Sequence, residues 1–264
     1  MTRRKRVEIV IPVYNEEMAI APCVDRLRRF LEQNLAHDWQ IIIANNGSTD
    51  RTAEVAGQLA VADNRVTVLN LSRKGRGLAL RTAWSRSPAD IVSYMDVDLS
   101  TNLRYFPLLV EGLCCGYDVA IGSRLMQASM VARRLKREVL SRGFNLLIRM
   151  LFRTRFSDAQ CGFKALRREV AQTLLPYVVN NGWFFDAELL ILAEKNGFRL
   201  FEAPVEWMED LDSRVHLWST AKEDIKGLVR MRTSRLKLNL PRRESTPTMS
   251  TTRGQAGTPK GAAD

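Results

Sequence analysis

The stretch Ile91-Val92-Ser93-Tyr94-Met95-Asp96-Val97-Asp98 decides the fold. Its first five residues are a short apolar run with β-branched and aromatic members, which predicts a buried strand. Two acids one residue apart follow at once. Three units of the same build precede it. Val7-Glu8-Ile9-Val10-Ile11-Pro12-Val13 is an apolar strand closed by a turn at Tyr14-Asn15, and residues 17–35 carry helical spacing at Ile20, Val24, Leu27, Leu31 and Leu35. Gln40 to Ala44 is a second strand, ending at the turn signal Asn45-Asn46-Gly47. Ser48 or Asp50 can cap the helix that follows, through about Ala62. Val66 to Leu71 is a third strand, with the glycine-punctuated Arg73-Lys74-Gly75-Arg76-Gly77 and another helix behind it. Strands alternating with helices at this pitch predict an α/β fold, with a mostly parallel Rossmann-like sheet and helices on both faces.

Ligands of such sheets bind beyond the carboxyl ends of the strands. Polar clusters fall at three of those ends: Asn15-Glu16, Asn45-Asn46, and Asp96 with Asp98. All three point at one crevice. A pair of carboxylates there suits a hard divalent cation such as Mg²⁺ or Mn²⁺, which takes oxygen ligands and lets substrate phosphates complete its shell. An acid pair at this spacing is common in loops, so its weight comes from its position at the ligand edge.

Composition narrows the class. The 264 residues are 45% hydrophobic and 26% charged, enough to bury a core and too apolar for global disorder. No run approaches the ~18 apolar residues of a membrane span. The basic start Met1-Thr2-Arg3-Arg4-Lys5-Arg6 leads into a strand too short for a signal-peptide core. A cytoplasmic chain is therefore expected. Four cysteines (Cys23, Cys114, Cys115, Cys161) without CxxC spacing point to reduced thiols, and two histidines, His37 and His216, make a His-rich metal site improbable. The net charge of +11 calls for an acidic partner: nucleic acid, anionic lipid or a phosphorylated substrate. Nucleic acid ranks last, because no binding motif is present and the aromatics are not interleaved with the basic runs.

The second half reads differently. Val119 to Gly122 is a fifth short strand, and Arg124 to Arg155 is then crowded with basic residues around apolar positions at helical spacing. A second basic amphipathic segment spans about Thr220 to Leu240, and residues 241–264 read as a disordered tail. Either basic segment is an ordinary charged helix face or an interfacial anchor whose Arg and Lys meet anionic headgroups. Cys161 reads as a packed residue, Asp186 and Glu188 as acids complementing a helix N-terminus, and Trp183-Phe184-Phe185 as core or lipid-facing packing.

Ile11-Pro12-Val13-Tyr14-Asn15-Glu16-Glu17, Asn45-Asn46-Gly47-Ser48-Thr49-Asp50 and Asp96-Val97-Asp98 together resemble the family-2 glycosyltransferases of GT-A fold. Gly122-Ser123-Arg124, the run from Asp158 to Lys164, the run from Trp183 to Leu190, Pro204-Val205-Glu206-Trp207 and Asp212-Ser213-Arg214-Val215 are similar to the polyprenyl-phosphate (dolichyl-phosphate) hexose synthase branch. The resemblance covers about residues 7–232. It implies one domain over 1–240, with a nucleotide-sugar half at about 7–123 and an acceptor, membrane-facing half at about 124–240. It further implies inverting transfer of a hexose from a nucleotide sugar to a polyprenyl phosphate, peripherally at the inner face of the cell membrane.

On the same resemblance, Pro12, Tyr14, Glu16, Asn46 and Arg76 hold the nucleotide, and Asp96 and Asp98 hold the metal. Arg124, Arg137, Ser141 and Arg214 hold the acceptor phosphate, with Arg124 and Arg137 counted with the two acids as catalytic. Two departures stand out. Asn45 and Asn46 replace the two aspartates usual in the family, and Ser100 stands where some mannose-transferring members carry glutamine. The run from Trp183 to Leu190 favours UDP-glucose as donor, with GDP-mannose the alternative. A catalytically silent sugar-nucleotide-binding partner of a separate membrane protein is a further alternative.

Overall fold

The computed structural model describes residues 3–132, 135–208, 217–233 and 236, without the side chains of 132, 135–137 and 217–221. In chain order the elements are β1 (Arg6–Val13), α1 (Ile20–Asn34), β2 (Asp38–Asn46), α2 (Thr52–Ala62), β3 (Val66–Leu71), α3 (Arg76–Arg86), β4 (Ile91–Met95), α4 (Phe106–Cys114) and β5 (Val119–Ser123). Then come β6 (Met130–Ala132), α5 (Leu135–Phe152), β7 (Phe163–Arg167), α6 (Arg168–Leu174), α7 (Phe185–Lys195), β8 (Leu200–Pro204), β9 (Glu206–Met208) and α8 (Leu217–Thr233).

Seven strands form one sheet in the order β3-β2-β1-β4-β7-β5-β8. Every neighbouring pair is parallel except the two made by β7, which lies antiparallel between β4 and β5. The sheet is therefore mixed, and β7 and β8 are strands the hydropathy pattern did not yield. The short strands β6 and β9 pair separately. A GT-A-like α/β architecture results, with the sheet drawing strands from both halves of the chain.

Alternation along the strands builds a core on each face. Ile9, Ile11, Ile41 and Ile43 pack on one side with Val24, Leu27 and Leu31 of α1 and with Leu109 and Val110 of α4. Val10, Ala44, Val92 and Tyr94 face the other side, against Leu80 and Trp84 of α3 and against α7, which is buried from Phe185 to Ala193. Each such aliphatic side chain contributes about 1.5–3 kcal/mol by leaving water.

The second strand runs farther than its apolar pattern. Asn45 and Asn46 are its last two residues, paired with Asn70 and Leu71 of β3, and only Gly47 beyond them turns left-handed, with φ of 72°. The asparagines are thus strand residues at the ligand edge, not turn residues. Asp50 serves the start of α2, accepting the Thr52 backbone N–H at 3.0 Å. The basic segment around 220–240 is helical over α8, while residues 234, 235 and 237–264, including the tail expected to be disordered, lie outside the described residues.

Candidate active site

The carboxyl ends of β2, β1 and β4 lie side by side at the edge expected to form the crevice, and the loops after β1 and β2 are laced together. Asn15, left-handed at φ 56°, donates its backbone N–H to Ser48 Oγ at 3.0 Å and accepts the Thr49 N–H at 2.8 Å. Glu16 N–H reaches Thr52 Oγ1 at 2.8 Å. Tyr14, half-buried beside them, carries the Lys74 ammonium 3.7 Å from its ring centroid. Asn45 Oδ1 accepts the Ser48 N–H at 3.2 Å, and its amide nitrogen donates to Asn70 at 2.9 Å. Asn46 Oδ1 accepts the Gly75 N–H at 2.8 Å, which binds the basic glycine loop to the end of β2. The first turn of α3 then sits close to the 181–185 segment, since a Cβ at Gly77 would come within 2.7 Å of Phe185.

The two acids after β4 occupy a strained turn. Leu99, immediately after Asp98, has φ of 48°, a region costly for a bulky side chain, by about 1–3 kcal/mol. The Leu99 N–H returns to the Asp96 carbonyl at 3.1 Å, and Asp98 Oδ1 accepts the Ser100 N–H at 2.9 Å. Asp98 is exposed and Asp96 half-exposed. Gly162 lies against Asp96, where any Cβ would overlap the carboxylate.

Arg76 bridges two carboxylates. Its Nη2 donates to Asp96 Oδ1 at 2.8 Å and its Nη1 to Asp186 Oδ2 at 2.5 Å. The guanidinium lies 4.9 Å from the Tyr94 ring and 5.0 Å from that of Trp183. Burial works against its charge, but Tyr94, Asp96 and Asp186 outweigh that and hold its proton more tightly than usual. Asp186 itself is buried and also accepts from Tyr94 Oη at 2.5 Å and Lys164 Nζ at 3.0 Å. Burial alone would raise its pKa, yet Lys164 and Arg76 prevail and hold it below the usual carboxylate range.

Arg124, at the end of β5, is anchored by the buried Asp158. Its Nε, Nη2 and backbone N–H all donate to that carboxylate, at 2.7, 3.0 and 3.1 Å. Against the burial penalty, Arg124 draws the Asp158 pKa down to about 2. Nη1 is the guanidinium nitrogen that Asp158 does not engage, and the Trp207 ring lies 5.5 Å from the guanidinium.

Ser141 on α5 is buried, with an Oγ that has no hydrogen-bond partner among the described residues. One turn on, Asn145 accepts the Ala159 N–H at 2.8 Å, which ties α5 to the loop carrying Asp158. Arg137 falls within α5 with its side chain outside the described residues, and Arg214 and His216 lie outside them altogether. Pro12 is half-buried near the end of β1.

The donor chemistry fits a hard cation in one specific way. Among the described residues no group of three or more His, Cys, Asp or Glu gathers as a closed cage. Asp96 and Asp98 instead offer carboxylate oxygens at an open edge, leaving further positions to phosphate oxygens, the usual habit of Mg²⁺ sites. The missing Cβ at Gly162 is what gives the Asp96 carboxylate its room.

Three residues had no assigned role in the sequence pattern. Tyr94 sits in an apolar strand, and Asp158 and Lys164 entered only as the two ends of a run that carries the resemblance. All three are completely buried, and for Lys164 its place between the apolar Phe163 and Ala165 was the available signal. Asp186 and Glu188 do stand in the first turn of α7, as expected, but both are buried, and Glu188 meets Arg230 at 2.8 Å. Phe184 and Phe185 are core, whereas Trp183 is 40% exposed and covers Arg76. Cys161 is buried with its thiol pushed up to about 12, an inert packed residue.

The glycosyl transferase family 2 model matches residues 8–175. Glycosyltransferase AglD of Haloferax volcanii is 40% identical over 214 residues, covering 80% of this chain and 34% of AglD. A dolichyl-phosphate beta-glucosyltransferase of Trichomonas vaginalis is 32% identical over 79% of this chain and 65% of its own length. The mouse dolichyl-phosphate beta-glucosyltransferase is 31% identical over 81% of this chain and 71% of the relative. The chain thus spans about a third of AglD and just under two thirds of the Trichomonas protein. Glucosyl-3-phosphoglycerate synthase of Mycobacterium tuberculosis, crystallised with Mn²⁺, UDP-glucose and phosphoglyceric acid, has the same fold at a TM-score of 0.64 and 18% identity, over 86% of this chain and 80% of that one. With its D-x-D acids at the edge of a GT-A sheet and a family match over most of that sheet, the chain belongs to glycosyl transferase family 2, homologous to the dolichyl-phosphate beta-glucosyltransferases and AglD.

Proposed function

We propose that this chain transfers a hexose, with glucose from UDP-glucose as the leading donor, to the phosphate of a polyprenyl lipid with inversion. The observation that carries the reading is the state of Asp186. This enclosed acid is held ionised between Lys164 and Arg76, which makes it a weak base. A hydroxyl acceptor needs a base to take its proton. A phosphate monoester arrives already ionised and needs cations instead.

Arg124 supplies one such cation, preset by Asp158 so that its orientation costs little on binding. Arg137, Arg214 and Ser141 are proposed to join it, on the resemblance alone. Tyr14, Asn46, Pro12 and Glu16 would seat the nucleoside. Asp96 and Asp98 would hold Mg²⁺ or Mn²⁺, which when bound neutralises charge on the departing diphosphate. The names of the beta-glucosyltransferase relatives support glucose and a dolichyl-type acceptor.

Two helices support work at an anionic lipid surface. α5 exposes Val139, Leu146 and Met150 beside Arg142 and Arg149, and α8 exposes Ile225 and Val229 beside Lys226 and Arg232. No helix among the described residues is long and apolar enough to cross a membrane. Apolar side chains ringed by Arg and Lys fit headgroup-level docking, where a polyprenyl tail is presented.

The test is a panel of radiolabelled sugar nucleotides, UDP-glucose and GDP-mannose included, with a short polyprenyl phosphate and Mn²⁺, read by organic extraction. Label in the organic phase from UDP-glucose supports the reading. Label from GDP-mannose alone reassigns the donor, and none from any donor leaves a silent sugar-nucleotide-binding protein. Flotation with phosphatidylglycerol vesicles reads the docking, which is expected to weaken with salt.

A further inference from the structure

Arg76 and a divalent cation want the same oxygen. Nη2 of Arg76 occupies Asp96 Oδ1 at 2.8 Å, and Asp96 is one of the two acids proposed to take the cation. The guanidinium is not loose in the crevice. Its other terminal nitrogen, Nη1, is fixed to the buried Asp186 at 2.5 Å, and the rings of Tyr94 and Trp183 flank it. Asp186 in turn is fixed by Tyr94 and by Lys164, whose ammonium is held to the Cys161 carbonyl at 2.5 Å. The arrangement is asymmetric: one end of the guanidinium is buried at a completely enclosed acid, and the other meets an acid with 43% of its side chain exposed.

We infer that Asp186 is a positioning residue that tethers Arg76 at the donor site, so that a cation arriving at Asp96 releases Nη2 to the donor's diphosphate while Nη1 stays in place. This rests on the proposed metal site and names two further parts of it, the tether and the exchanged contact. The chemistry follows from charge. Two cations cannot share one carboxylate oxygen without repulsion, and the half-exposed contact is the weaker of the two that Arg76 makes. A guanidinium already oriented and partly desolvated then meets an incoming phosphate by charge-assisted hydrogen bonds. Arg76 therefore opposes the cation in the absence of nucleotide and favours the nucleotide in the presence of the cation.

That double role separates the inference from a purely structural one, because a single substitution has to move two affinities in opposite directions. Mn²⁺ binding to the full chain is measured by electron paramagnetic resonance, alone and then with UDP, for wild type, Arg76→Gln and Arg76→Lys. Arg76→Gln is expected to bind Mn²⁺ alone about three- to tenfold more tightly, since a competing ion pair is gone. The same variant is expected to bind UDP in the presence of Mn²⁺ about tenfold or more weakly. Arg76→Lys, too short and unforked to bridge both acids, is expected to fall between. Tyr94→Phe tests the tether while leaving Lys164 its contacts with Asp186 and the Cys161 carbonyl. Removing one of the bonds to Asp186 loosens Arg76 and is expected to weaken UDP binding while the melting temperature drops by only a few degrees. Mn²⁺ affinity that is unchanged or weaker in Arg76→Gln overturns the competition, even if the wild type transfers sugar normally. A wild type that binds no Mn²⁺ even with UDP overturns the metal reading beneath it as well. Unchanged UDP affinity in both Arg76→Gln and Tyr94→Phe overturns the tether.

Discussion

The Asp158 carboxylate receives Arg124 three times over, from Nε, Nη2 and the backbone N–H, in a pocket where Asp158 has no solvent exposure. One acid thus fixes both the end of β5 and the loop 158–162 that backs Asp96. Asp158→Asn leaves the guanidinium uncompensated, and the expected loss is ~3–5 kcal/mol in denaturant unfolding. The double variant Arg124→Met, Asp158→Leu is expected to recover most of it, because two apolar groups leave no stranded charge. Additive losses in that double variant would overturn the argument.

The same pair has a pH signature. Because the folded-state pKa of Asp158 is depressed from 3.8 to about 2, its stabilisation is complete above the unfolded value and is lost as pH falls through about 2. Acid titration of the wild type, compared with the double variant, is expected to show the difference in stability shrinking across that window.

Asp224 behaves in the opposite sense. Burial first, then Glu223 and Asp186, raise its pKa from 3.8 to about 7 against the Gln160 hydrogen bond, which is 2.8 Å long. Its Oδ1 is buried without a partner among the described residues. A raised acid favours the folded state when protonated, so its penalty grows as pH climbs from 3.8 through about 7 and persists above. Asp224→Asn is expected to match the wild-type melting temperature near the bottom of that range and exceed it by several degrees at pH 8. A difference independent of pH would sink the assignment.

Gly162 is the one position in the loop where no side chain fits, since a Cβ there overlaps the Asp96 carboxylate. Gly162→Ala must push that acid aside. Mn²⁺ binding is expected to weaken by about tenfold, on the scale of a disrupted charge-assisted contact. The far-ultraviolet circular dichroism spectrum should remain that of the wild type; unaltered Mn²⁺ affinity would show the acid to have room elsewhere.

Asp98 is exposed, with its Oδ1 on the Ser100 N–H. Asp98→Asn keeps a similar acceptor for that N–H, so stability is expected to change by about 0.5 kcal/mol or less. Metal-dependent turnover is expected to fall by about a hundredfold or more, as for the loss of an electrostatic stabiliser. Wild-type rates in this variant would remove Asp98 from the metal site.

Much of the fold was legible because its signals are local. The third and fourth strands, Val66–Leu71 and Ile91–Met95, run where the apolar alternation puts them. Asn45 and Asn46 misled because asparagine is a turn former by itself, whereas here the ladder with β3 holds both in extended backbone. β7 was hidden by Lys164, a charge inside a five-residue strand. Its ammonium is tolerated only because Asp186, Tyr94 and the Cys161 carbonyl, brought in from elsewhere, satisfy it.

The linear chain by itself determined where β1, β3 and β4 end and which polar groups follow them, since pleat, hydropathy and turn chemistry act over a handful of neighbours. Only the folded arrangement decided which charge neutralises which. Arg76 and Asp186 are 110 positions apart and meet where α3 packs on α7, with Lys164 of the antiparallel β7 on the same carboxylate. Electrostatic pairing inside a protein follows distance through space and the exclusion of water, and neither quantity is written in residue order.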